Sequence, residues 1–141
     1  MTGRRRVKTM DRASAAKFAR VADGFLTSAS ALSDVANGDE HYGNAIALLA
    51  IHGSFAWADT LSIAFAEQRS TDGDHQQAVD VLRGSLGTRL AATQETRLRR
   101  IISAKDTVSY QGTYYPLSDG RALLQRARLF ANSARTLFDE R

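Results

Sequence analysis

Cysteine is absent from the 141 residues, proline and tryptophan occur once each, and there are three histidines. Without a thiol there is no disulfide framework, no thiolate nucleophile and no Cys-ligated metal site, a composition compatible with a reducing compartment. His41, His52 and His75 are too scattered for a zinc signature, and no two are four residues apart. Gly84 and Gly87 are not followed by the Lys-Ser/Thr pair of a phosphate-binding loop. Neither a metal nor another cofactor is therefore expected. The most apolar stretch, residues 45–66, contains His52 and Asp59 and runs into Glu67 and Arg69, so it reads as a core helix and not as a bilayer span. The basic residues near the start have no apolar run behind them, since Asp11 and Arg12 follow Met10. No signal peptide is expected, and a cytoplasmic location is.

What is present favours helix. Twenty-three alanines, one proline and few β-branched runs predict an all-α domain, broken at clusters of Gly and Asp. The formal charge of +4 has an address: Arg4, Arg5, Arg6 and Lys8 supply it, while residues 11–141 carry 15 basic and 15 acidic side chains. Residues 1–10 are accordingly expected to be a flexible basic tail, and residues 11–141 a single domain. That domain is uneven, with seven acids against Arg69 over residues 37–82 and eleven basic residues against five acids over 83–141.

The apolar spacing predicts a first helix over about 11–35, with Phe18, Val21, Phe25, Leu32 and Val35 inward and a stop at Asn37, Gly38 and Asp39. A central helix over about 40–68 is apolar nearly all round, so it needs several neighbours or a second copy of the chain to cover it. After a turn with its corner at Asp72 and Gly73 comes a short third helix from Asp74, then a fourth over about 88–109. Ser118 is the expected N-cap of a last helix whose inward series is Leu123, Ala127, Phe130, Ala134 and Leu137. The sum is a largely antiparallel bundle of four or five helices.

Three groups of side chains carry candidate chemistry. His52 and Asp59 share a face of the central helix about 10 Å apart, too far to bond directly. A buried acid there needs a donor, expected from Lys105, Tyr110 or an arginine of the fourth helix; the set either tethers two helices or binds a ligand. Arg69 and His75 flank the polar turn. An imidazole that exchanges a proton near neutrality and a guanidinium that stabilises a phosphoryl oxygen suit metal-independent cleavage of RNA, or the two are only solvated and salt-bridged. Arg97, Arg99 and Arg100 head a basic stretch that either holds phosphates or forms a solvated, partner-paired surface. Tyr110, Tyr114 and Tyr115 lie in a late loop where they either stack on a base or pack on the bundle.

The stretch Ala45-Ile46-Ala47-Leu48-Leu49-Ala50-Ile51-His52 followed by Ala58-Asp59-Thr60-Leu61, then Asp74-His75-Gln76-Gln77-Ala78-Val79, and Lys105 through Tyr110 leading to an alanine-rich last helix, resembles the HEPN superfamily of small helical bundles. The likeness covers roughly residues 14–138. It implies a dimer and, in active members, a metal-independent endoribonuclease with an arginine and a histidine about four to six positions apart, generally on a later helix at the dimer cleft. No histidine follows Arg97, Arg99 or Arg100 here, whereas Arg69 and His75 have a compatible spacing at an earlier place. The leading expectation is a HEPN-like homodimer that binds RNA, a nucleotide or an acidic protein partner through its basic C-terminal half. The alternatives are a ribonuclease of a toxin or defence system using Arg69 and His75, and a purely structural or interaction protein.

Overall fold

In the computed structural model the described residues are 7–71, 75–109 and 114–141, with the side chain of His75 excepted. They form an all-α domain of five main helices joined by one small ladder of two strands. β1 is Val7–Thr9, α1 Ala15–Ala36, α2 Gly43–Ala66, β2 Gln68–Ser70 and α3 His75–Leu86. α4 follows at Ala92–Ser103, then a single turn α5 at Lys105–Ser109 and α6 at Leu117–Glu140.

α2 is the axis. Fifteen of its 24 residues are buried, beneath α1 and α6 on the two long sides and α3, α4 and α5 on the others. It is long and apolar enough to cross a membrane, yet 67% of its most apolar window is buried inside the bundle. Most of its apolar circumference is thus covered by neighbouring helices of the same chain.

α1 meets α2 through its small residues. Ala15, Ala19, Ala22, Leu26 and Ala29 are buried, and Leu26 sits where a Cβ on Gly53 would be, at 2.7 Å. The expected inward face is therefore corrected: Phe18, Phe25 and Leu32 lie at its margin, and Val21 and Val35 are exposed. The alanines, with Leu26 seated over Gly53, allow the two helices to pack closely. Asn37 and Gly38 end α1 in left-handed conformations, as their residue types predict.

Residues 7–9, expected within the flexible tail, are paired. Val7 faces Ser70, Lys8 faces Arg69 and Thr9 faces Gln68 in antiparallel register, and the Met10 amide donates to the Glu67 carbonyl at 2.8 Å. The backbone hydrogen bonds hold these residues although their side chains are exposed. Arg4, Arg5 and Arg6 lie outside the described residues, as do Asp72, Gly73 and Asp74 of the expected turn.

The expected fourth helix is two helices. The Ala104 amide turns back to the Ile101 carbonyl at 3.2 Å, a tighter turn that redirects the chain so that Val108 is buried and its carbonyl accepts from Asn44 Nδ2 at 3.2 Å on α2. Ser118 is not the N-cap of α6. That place is taken by Pro116 in extended conformation, and the Leu117 amide donates to Glu40 Oε1 at 3.3 Å. A carboxylate from another element thus serves the positive end of the helix. The expected inward series of α6 is observed, with Leu123, Ala127, Phe130 and Ala134 buried and Leu137 packed against the core.

Candidate functional site

α4 presents its three arginines to two different surfaces because of its period. Arg99 points to α3, where its guanidinium bonds Asp80 Oδ1 at 2.8 Å, Glu95 Oε2 at 3.2 Å and Gln76 Oε1 at 3.1 Å. Arg83 pairs with the other oxygen of Glu95. The acids of this region are consumed there, clamping α3 to α4.

Arg97 and Arg100 point the other way. With Thr93 and Thr96 they occupy an i, i+3, i+4, i+7 stripe that forms one wall of a groove of about 470 Å³, the other wall being Arg126 and Leu129 of α6. Three guanidiniums and two hydroxyls line this groove and no carboxylate does. None of the three arginines is in a salt bridge among the described residues. Leu129, 42% exposed, supplies an apolar patch to the wall. The arrangement can neutralise successive phosphates and offers no aromatic ring for base stacking.

Asp59 lies on α2, outside the residues that line this groove, and a charged group of the described residues that acts on it is Arg69 of β2. Burial pushes its carboxyl up to about 7, with Arg69 opposing that rise. The Arg69 guanidinium lies over the ring of Phe18, 5.8 Å from its centroid, with Nε buried and without a hydrogen-bond partner among the described residues. His52, two turns before Asp59, stacks on Phe25 of α1, with centroids 5.5 Å apart. Asp59, Arg69, Phe18 and His52 therefore join α1, α2 and the strand ladder. Arg69 thus packs over Phe18 and lies within electrostatic reach of Asp59.

His75 opens α3, but its side chain lies outside the described residues, as does Tyr110. Lys105 begins α5 and is not among the residues that line the arginine groove. Tyr114 is tied to the bundle: its hydroxyl donates to Glu40 Oε1 at 2.6 Å, which pushes the phenol up to about 12. The Tyr115 amide donates to Asn44 Oδ1 at 2.9 Å.

Sequence spacing brings Arg97 and Arg100 together correctly and misses Arg126. Its signal was present: Arg126 and Leu129 flank the buried Ala127 and Phe130, so they fall on the edge of α6 next to its core stripe. Among the described residues no three His, Asp or Glu side chains cluster as metal ligands would. No family model, no curated protein and no solved structure matches the chain.

Proposed function

We propose that this protein binds the phosphate backbone of RNA through the groove between α4 and α6, and performs no chemistry on it. The observation that carries the reading is that Arg97, Arg100 and Arg126 line one groove without a carboxylate. Three guanidiniums set along two helix edges suit a flexible, repeating polyanion better than a compact ligand enclosed on all sides. With no stacking ring among the lining residues, recognition is of backbone charge and not of base sequence. A divergent HEPN-like bundle is the ancestry consistent with this reading, supported by the all-α fold with its apolar central helix.

The ribonuclease alternative rests on Arg69 and His75, and the His75 side chain lies outside the described residues. Labelled single-stranded RNA followed by fluorescence anisotropy tests the proposal. The protein binds, a variant carrying Arg97→Gln, Arg100→Gln and Arg126→Gln does not, and the RNA is recovered intact in chelator. Cleavage in chelator that disappears in His75→Ala favours the alternative instead.

A further inference from the structure

α1 and α6 run antiparallel over α2 and are fastened at two points. Arg121 Nε donates to Ser33 Oγ at 3.0 Å near one end, and Arg135 pairs with Asp23 near the other. At the second fastening the two helices and Trp57 of α2 line a cavity of about 310 Å³. Asp23 and Thr27 line its α1 wall, and Arg128, Asn132 and Arg135 line its α6 wall.

Trp57 is fully buried, yet its Nε1 has no hydrogen-bond partner among the described residues. Leaving such a donor unsatisfied costs about 1–3 kcal/mol, so native proteins rarely bury one without a protein, water or ligand partner. The Arg135 guanidinium lies over the indole ring, 4.9 Å from its centroid, and Asp23 neutralises it. Arg128 is exposed and in no salt bridge among the described residues. The residues lining the cavity therefore include a tryptophan whose buried N–H is unpartnered among the described residues, the Arg135–Asp23 pair and one arginine without an ion pair.

We infer that this cavity is a binding site for a small molecule bearing a single oxyanion, a carboxylate or a phosphoryl group. One oxygen accepts from Trp57 Nε1, Arg128 supplies the countercharge, and Arg135 shifts off the ring to admit the ligand while keeping Asp23 within reach. Arg128 and Arg126 are two residues apart on α6 and so face different sides of it, which makes this site independent of the α4–α6 groove.

Because Trp57 is the only tryptophan, both its fluorescence and its single indole N–H cross-peak in a ¹H–¹⁵N spectrum report on this place alone. Inorganic phosphate and acetate are titrated separately, with chloride at matched ionic strength as the control. The inference predicts that at least one of them moves the indole cross-peak and the fluorescence saturably, with chloride inert. The tighter of the two identifies the oxyanion class. The response is lost in Arg128→Gln, an exposed position that leaves the core untouched, and persists in Arg97→Gln/Arg100→Gln. No saturable shift with either oxyanion, or an unchanged response in Arg128→Gln, overturns the assignment.

Discussion

Gly120 of α6 crosses Gly43 of α2 so closely that a Cβ on Gly120 would lie 2.7 Å from the Gly43 carbonyl oxygen. A Cβ on Gly43 would meet the Tyr115 carbonyl oxygen at 2.0 Å. Backbone, not a flexible side chain, is in the way at both places. This crossing fixes the start of α6 against α2, and the register of Arg126, Arg128 and Arg135 along α6 depends on it.

Gly120→Ala and Gly43→Ala are each predicted to destabilise the fold by about 1–3 kcal/mol or more, because the helices must separate. Gly24→Ala is the contrast, since nothing lies within 4 Å of a Cβ there and the residue is inside α1. It is expected to stabilise by roughly 0.5–1 kcal/mol. Urea denaturation of the three variants checks the opposite signs.

Asp59 gives the fold a pH dependence of definite sign. Its carboxyl has an ordinary value of 3.8 and is raised to about 7 in the folded protein, so the folded state holds the proton more tightly than the unfolded state. The associated stability is fully present below pH 3.8, declines as pH rises towards 7 and is lost above it. The loss is on the order of 4 kcal/mol. Asp59→Asn removes this dependence: the variant matches the parent near pH 4 and is more stable at pH 8. Denaturation midpoints of parent and variant across that range measure it, and a difference that does not grow with pH contradicts the assignment.

The division of labour on α4 is testable by stability alone. Arg99→Ala removes the contacts to Asp80, Glu95 and Gln76 and is predicted to cost about 1 kcal/mol, with the cost shrinking in high salt because the pairs are partly exposed. Arg97→Ala and Arg100→Ala are expected to stay within about 0.5 kcal/mol of the parent. Thermal melts at low and high salt separate the two behaviours.

The parts of this fold that were legible in the sequence are those where one face of a helix carries the bulk. α6 is such a case, because Leu123, Ala127, Phe130 and Ala134 are its core and nothing competes with them. α1 is the opposite case. Its bulky residues Phe18, Val21 and Phe25 outline a convincing stripe, but the buried face is Ala15, Ala19, Ala22 and Ala29 with Leu26 seated over Gly53 of α2. Periodicity weights side chains by size and so points to the wrong side. The electrostatic influence of Arg69 on Asp59 was hidden for another reason: Arg69 arrives on a three-residue strand paired with residues 7–9, a non-local contact with no periodic signal. Of the groove, Arg97 and Arg100 were readable as a pair on one helix, while Arg126 is brought to them only by the packing of α4 on α6.

The most direct test of the central claim is the salt dependence of single-stranded RNA affinity. Each phosphate neutralised contributes about −0.7 to the slope of log affinity against log salt, so three arginines contribute about −2. The variant carrying Arg97→Gln, Arg100→Gln and Arg126→Gln is predicted to bind at least tenfold more weakly at low salt, with a slope shallower than the parent's by about 2. An unchanged affinity and slope in that variant would contradict RNA binding by the α4–α6 groove.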